Sequence, residues 1–407
     1  MSFRHEYTVP AYYPNFKCKT GDCRHPCCIG WDIAIGMEEY FRMLGMDCSP
    51  ELRRRLDTAF HPANDPSEQH YAIISPRWDG DCPLHLPNGY CGLQCECGET
   101  ALPSVCRYYP RSPKSKYAYQ CQCANSCEAV IEMLFAQEEP MTFTRQRLTF
   151  QMANELTHEH DPIAHLFPSV QRACLRILQD RTQTLSQRLD HLGEFVMVMD
   201  VPYRTDNANG IHAVLPFASA FHEAASQAKP AALTQSELLS VLTYMRDYLC
   251  HMERSNPKFS DDAYAVRAFL QMSEEEALTK QTAEIWKEHA ARFAQQFPDN
   301  ERMLEQVFVN HLCYDGFPFS SAKKNPWDSY LAFATAYALV RVFSVAFLAL
   351  YPEKSEDGKL TPTDVYVDIT AKIFRIVEHT NFNHNTAILS KRFALDRPEQ
   401  IKLLCKL

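Results

Sequence analysis

The chain has 407 residues, 46% of them hydrophobic, and a formal net charge of -9. That apolar share suffices for a substantial core over about two or three domains of roughly 150 residues, which excludes a disordered tail protein. The acidic balance argues against a general nucleic-acid binder, because displacing counterions from phosphates needs a basic surface.

At the start of the chain, Met1 to Pro10 contain neither an apolar h-region nor a small-residue cleavage site. They do not read as a signal peptide, and the expected location is the cytoplasm. Of the 17 cysteines, thirteen fall between Cys18 and Cys127, and only Cys174, Cys250, Cys313 and Cys405 follow. Cytosolic thiols are kept reduced, so metal or cluster ligation takes precedence over disulfide staples. Prolines recur from Pro10 to Pro113 and predict a loop-rich region up to about residue 130. Such a region has little periodic apolar face, and metal ligation can supply the missing folding energy.

The first cysteine cluster is Cys18, Cys23, Cys27 and Cys28, followed by Trp31. Four thiols on one short loop put several sulfurs within reach of a metal. An extended backbone at Cys27 and Cys28 would point the two side chains apart, so the pair is not expected to serve one ion. The second cluster runs Cys82-Pro83, Cys91-Gly92-Leu93, Cys106 with Pro110-Arg111, and Ser126-Cys127-Glu128-Ala129, with Cys95, Cys97, Cys121 and Cys123 interspersed. These spacings match no zinc finger or zinc ribbon. Packing alone does not call for so many thiols in one region.

Beyond Cys127 the pattern becomes helical. Thr234-Gln-Ser-Glu237 and Ser273-Glu-Glu-Glu276 read as capping boxes, and Pro362 stands at a first helical position. Helices are predicted over 128–137, 152–158, 170–188, 213–227, 238–251, 262–271, 277–296, 301–312, 330–351 and 364–379. His158, His160, Asp161 and His165 fit neither a zincin helix nor a facial triad and read as helix-end surface residues. The apolar run from Tyr330 to Tyr351 carries Arg341 at its centre and reads as a buried core helix, with no membrane span. The fold class is therefore mainly α: a Cys-rich, loop-rich N-terminal metal- or cluster-binding region over 1–130, packed on an all-α domain over 131–407 that shapes the substrate cleft.

The ordered string Cys18, Cys23, Cys27, Cys28, Trp31, Cys82-Pro, Cys91-x-Leu, Cys106-x3-Pro110-Arg111 and Ser126-Cys127-x-Ala129 resembles the flagellin lysine N-methylase (FliB) family, of the Cys-rich metal- and cluster-binding group. Val307 to Leu312 followed by Phe317-Pro-Phe319 is a weaker echo of the same family. The resemblance implies S-adenosylmethionine-dependent methylation of surface lysines on flagellin, together with a [4Fe–4S] cluster. Cys48, Cys95, Cys97, Cys121 and Cys123 are additional to the pattern.

Methyl transfer to a lysine Nε needs a neutral amine, an in-line methyl sulfonium and an apolar or aromatic slot that desolvates the ammonium. No Gly-x-Gly turn follows a first strand, so a Rossmann-type cofactor site is not expected. A cluster held by three thiolates leaves one iron open for the amino and carboxylate groups of S-adenosylmethionine. Cys18, Cys23 and Cys27 are the first-choice ligands, and Cys28, Cys82, Cys91, Cys106 and Cys127 complete the candidate set. Arg107 and Arg111, with Tyr108 between them, are the candidate cofactor-binding residues, on a basic stretch that continues through Lys114 and Lys116 among Tyr109, Tyr117 and Tyr119. No catalytic residue is assigned. The alternative is a non-enzymatic zinc or iron–sulfur module acting in metal handling, redox sensing or protein interaction.

Overall fold

A computed structural model describes residues 3–115, 117–150, 164–218, 232–320, 325–351 and 360–407. The predicted helix over 152–158, with His158, His160 and Asp161, lies outside the described residues, as do Lys116 and the end of the predicted 213–227 helix.

The N-terminal region carries more regular structure than its prolines suggest. Strand β1 (Phe3–Pro10) buries Tyr7 and Val9 and exposes Arg4 and Glu6, the period-two pattern of a strand with one covered face. After it come β2 (Ile33–Ile35), α1 (Met37–Leu44), α2 (Pro50–Ala59), β3 (Phe60–Pro62) and β4 (Ala72–Ile74). Two short helices, α3 (Gly92–Cys97) and α4 (Ser104–Tyr108), precede β5 (Arg111–Lys114), β6 (Gln120–Cys123), α5 (Glu128–Ala136) and β7 (Phe143–Phe150). The loop-rich reading is corrected here: β2 to β6 are only three or four residues long, too short for a period to announce them, and the longer β1 finds its partners β6 and β7 more than a hundred residues away.

Two sheets result. The larger has the order β5-β6-β1-β7, with β1 parallel to β6 and antiparallel to β7, in a register that sets Thr8 opposite both Gln120 and Arg145. The smaller has the order β2-β4-β3. Because β7 pairs along the whole of β1, the two regions of the sequence share the larger sheet.

The rest is helical: α6 (Phe167–Leu178), α7 (Leu185–Arg204), α8 (Ala208–Val214), α9 (Gln235–Ser255), α10 (Ser260–Phe269), α11 (Lys280–Gln296), α12 (Asn300–Asp315), α13 (Pro326–Leu350), α14 (Pro362–His379), α15 (Phe382–Arg392) and α16 (Pro398–Leu404). Thr234 caps α9 as predicted, and Thr361, just before the first-position Pro362, caps α14, each accepting from the N–H three residues on. The predicted helix over 170–188 is split. Thr182 N–H bonds to the Asp180 carboxylate at 3.2 Å, and Thr184 caps a new helix, so side chains take the backbone groups a continuous helix would use. The expected box at Ser273 is not a helix start. Arg246 donates to the Ser273 and Glu276 carbonyls, and α11 begins only at Lys280. Helices α15 and α16, which the apolar periodicity did not suggest, close the C-terminal end.

Helix α13 runs through the middle of the helical packing, and 94% of its most apolar window is buried. Arg341 survives there because its guanidinium donates to the Leu407 oxygen and to Asn300 Oδ1 and lies 4.8 Å from the Phe293 ring centre. One apolar cluster joins the larger sheet, α5 and the C-terminal helices. A second, much smaller cluster, including Ile33, Ile35, Met43, Leu52, Leu56, Ile74, Leu84 and Leu93, holds the segments that carry most of the cysteines.

Candidate functional site

Cys18, Cys23, Cys27, Cys28, Cys82, Cys91, Cys106 and Cys127 all line one cavity of about 150 Å³. Five chain segments converge to make it, and each is held by an identifiable contact. Cys82 N–H donates to the Cys28 carbonyl at 2.7 Å, and Ile29 bridges to Asp81, which sets the second cluster beside the first. The loop from Cys18 to Cys23 crosses the turn before Cys91 at a pair of glycines. Gly89 has φ +84°, and a Cβ there would lie 2.6 Å from the Gly21 carbonyl oxygen, so neither steric nor conformational room exists for a side chain. Cys91 and Cys127 stand at the N-caps of α3 and α5, where burial raises their thiols and the first-turn backbone N–H groups work against that rise.

The extended backbone supposed for the Cys27–Cys28 pair is corrected: the chain turns at these two residues, and both line the cavity. The adjacent Cys28 thiol, assisted by the nearby Arg375 cation, holds the Cys27 thiol below its ordinary value despite burial. Burial pushes Cys82 up to about 11 and Cys23 and Cys127 to about 12, and it also raises Cys91 and Cys106. Cys27 is central: its charge acts on Cys23, Cys28, Cys82, Cys91, Cys106 and Cys127. Among the described residues no three Cys, His, Asp or Glu side chains are gathered closely enough to hold a single metal ion.

The other five N-terminal cysteines lie outside the cavity. Cys121 and Cys123, two apart on β6, are fully buried in the larger core beside the Tyr13 and Tyr12 hydroxyls. Cys48 and Cys97 edge the smaller core, and Cys95 is exposed. Of the candidate cofactor-binding residues, Arg107 and Arg111 line the cavity, the latter with its guanidinium 4.9 Å from the Phe16 ring centre. Tyr108 is not on that wall; its ring packs edge-on against Phe150 at 5.1 Å. Lys114 lines a different pocket with Tyr117, its ammonium over the Tyr314 ring. His165 is exposed on a short turn.

Residues from the helical domain fasten this site, and sequence reasoning missed them. Arg24 places its guanidinium on both oxygens of Asp368 at 2.9 and 3.0 Å and reaches Asp364 at 3.0 Å, all across to α14. Arg375, two turns further along α14, donates to the carbonyls of His25, Pro26 and Ile29. Buried Glu128 accepts from Lys19 at 2.7 Å and from the Arg24 and His25 N–H groups; burial works to raise its carboxyl, and these donors hold it lower than usual. The turn before Cys127 is held from α12 and α14. Asn310 donates to the Cys123 carbonyl and to Asn125 Oδ1, and buried Glu378, paired with His311 at 3.2 Å, has the Asn125 and Ser126 N–H groups acting to lower its carboxyl against the rise that burial imposes. His379 Nε2 meets Ser126 Oγ at 2.7 Å, and Ser126 Oγ meets the Tyr109 hydroxyl at 3.0 Å. Burial, with Lys114 and Arg375 nearby, lowers His379 to about 4, so its ring is neutral. The only trace of this in the sequence is the polar Asn310-His311 pair inside an apolar helix.

The family model described as the FliB lysine N-methylase C-terminal domain matches residues 171–399, more than half of the chain. The matched span includes α12 and α14, which grip the cysteine loops, and leaves the cysteines of the cavity outside it. No curated protein and no solved structure matches the chain.

Proposed function

The chain belongs to the FliB lysine N-methylase family, which supports a lysine methyltransferase role, and from that premise we propose a finer reading. The protein transfers methyl groups from S-adenosylmethionine to surface lysines of flagellin, in the cytoplasm, with a [4Fe–4S] cluster held in the thiol-lined cavity. The observation that carries this reading is the convergence of eight cysteines on one cavity.

The donor chemistry fits such a cluster. Eight thiol sulfurs share the lining with Ile33, Ile74, Leu84, Leu93 and Leu102 and with the charged side chains of Lys19, Glu99, Arg107, Arg111 and Glu128; soft sulfur donors over apolar walls are the surroundings iron–sulfur centres use. A lone zinc ion needs thiolates at about 2.3 Å and therefore tightly gathered, and no such group is present among the described residues; a polynuclear centre binds each thiolate through a different metal atom and tolerates a wider spacing. Cys27 is the first-choice ligand, with Cys18 and Cys23 on one side of it and Cys28, Cys82, Cys91, Cys106 and Cys127 completing the set. When bound, the cluster supplies an open coordination position for the amino and carboxylate groups of S-adenosylmethionine.

The chain's own residues have distinct tasks in this reading. Arg107 and Arg111 offer cations to a carboxylate at the cavity wall. The clamp from α14 keeps the cysteine loop in one geometry. The apolar lining excludes water from the reacting atoms, which favours a neutral amine.

Anaerobic reconstitution with iron and sulfide, followed by single Cys→Ala changes, tests the reading. Visible absorbance and methylation of purified flagellin are expected to fall together at Cys27. Zinc at one or two equivalents, with no methyl transfer, would favour the non-enzymatic module instead. Full methylation without iron would remove the cluster from the reaction.

A further inference from the structure

Two more cavities continue from the thiol-lined one. The first, of about 240 Å³, shares Cys27, Ile33, Cys106 and Tyr109 with it and adds Trp31 and His379. The second is a cleft of about 760 Å³ that shares Trp31, Asp32 and His379 with the first and extends between the Ile29–Asp32 turn, α14 and the loop after α9. The three adjoin one another through these shared wall residues, with the aromatic chamber between the cleft and the cysteines.

The chamber is built and locked. Trp31 contacts His379 at 4.9 Å and Tyr109 at 5.7 Å between ring centres, and the indole N–H donates to the Cys27 carbonyl at 2.6 Å. Ser126 joins Tyr109 to His379 and fixes both rings. The Arg375 guanidinium lies 5.1 Å from the Trp31 ring centre. A bare aromatic cage attracts an ammonium ion, but one already bearing a fixed cation disfavours a second positive charge and accepts the neutral amine more readily. The cleft outside is basic. Lys258 donates to the Gly30 carbonyl and Arg375 to three other carbonyls, contacts that orient the cations without neutralising them. Lys372 is paired with Asp262, and Asp32 is the acid on the cleft wall.

We infer that the cleft receives a protein segment whose target lysine is flanked by acidic residues, and that the lysine side chain passes into the chamber so that its ε-amine lies against Trp31, Tyr109 and His379 beside Cys27 and Cys106. This assignment rests on the methyltransferase reading above. In the transfer the N–C bond forms and the S–C bond of the sulfonium breaks, with its electron pair returning to sulfur, and the surplus amine proton leaves to water in the cleft. Trp31 acts by shaping the chamber, and Lys258 by attracting the flanking acids.

The test uses the full-length, iron-loaded enzyme with two lysine peptides of equal length, one flanked by glutamates and one by arginines. Wild type is expected to prefer the acidic peptide at least 10-fold in kcat/KM and to bind it more tightly by fluorescence anisotropy. Lys258→Glu should raise KM for the acidic peptide about 10-fold, leave kcat unchanged and narrow or reverse the preference. Trp31→Ala should lower kcat/KM about 10- to 100-fold at wild-type iron content, with Trp31→Phe restoring most of it. Methyl transfer by wild type with equal use of both peptides, insensitive to both substitutions, overturns the path while leaving the methyltransferase reading intact. Preferential binding of the acidic peptide without any methyl transfer supports the cleft and overturns the reaction instead.

Discussion

Arg24 is the strongest test of the idea that the helical domain holds the cysteine loop. Its guanidinium meets Asp368 through two oxygens and also reaches Asp364 and Glu132, with the Arg24 side chain 24% exposed and that of Asp368 12%. Exposed pairs contribute about 0–1 kcal/mol, and breaking a buried one costs about 3–5. A part-buried, bidentate contact lies between, so Arg24→Ala is expected to weaken the local clamp by about 2 kcal/mol. At 1.4 kcal/mol per factor of ten, the loop from Cys18 to Cys28 should open about 30-fold more often. In the reduced, metal-free protein, the rate of thiol modification at Cys23 and Cys27, read by mass spectrometry, should rise by that factor. Cys174 and Cys313, buried in the helical core, should be unaffected. Arg24→Lys should recover only part of the effect, because an ammonium cannot make the bidentate contact. Equal protection of Cys23 and Cys27 in Arg24→Ala and wild type would refute the clamp.

Other expectations concern separate parts of the molecule. Asp190 is largely buried, its Oδ1 has no hydrogen-bond partner among the described residues, and burial raises its carboxyl from 3.8 to about 7 against the pull of Lys402 and Lys406. The folded state thus holds a proton that the unfolded state releases, so stability falls as pH rises from about 4 to about 7 and levels off above. That gap sets a ceiling of about 4 kcal/mol, and Asp190→Asn is expected to stabilise by about 2 kcal/mol at pH 8 and by little at pH 4, measured by urea unfolding at both pH values. Glu305, fully buried between Arg181 and Arg188, is a second case. Glu305→Gln leaves Arg188 charged without its carboxylate and should cost about 3–5 kcal/mol, seen as a lower urea midpoint. Cys121→Ala and Cys123→Ala should keep wild-type iron content while losing about 1 kcal/mol each; iron loss at either would move the metal site away from the cavity.

Much of the site was legible in the sequence because its chemistry is carried by residue type. Thirteen cysteines between Cys18 and Cys127 stand out by kind, and the resemblance to the FliB family picks from them Cys18, Cys23, Cys27, Cys28, Cys82, Cys91, Cys106 and Cys127, the eight that line the cavity. Helices such as α9, α13 and α14 were equally readable, since capping residues and apolar spacing are local properties. The two sheets were not: the strands of the smaller one are three residues long and have no period to detect, and in the larger one β1 pairs with strands more than a hundred residues away.

The sequence by itself therefore determined which thiols belong together and that a helical domain follows them. It also pointed to α13 as a buried core helix, through Arg341 in its middle. Only the tertiary structure decided how the thiols face one another, because the turn at Cys27 and Cys28 depends on bonds made elsewhere. Arg24 meets Asp368 across 344 positions, and Ser126 meets His379 across 253. Contacts at such separations leave no trace in local composition. They arise when helices α12 and α14 pack, and that packing brings Trp31, Tyr109 and His379 together beside the cysteines.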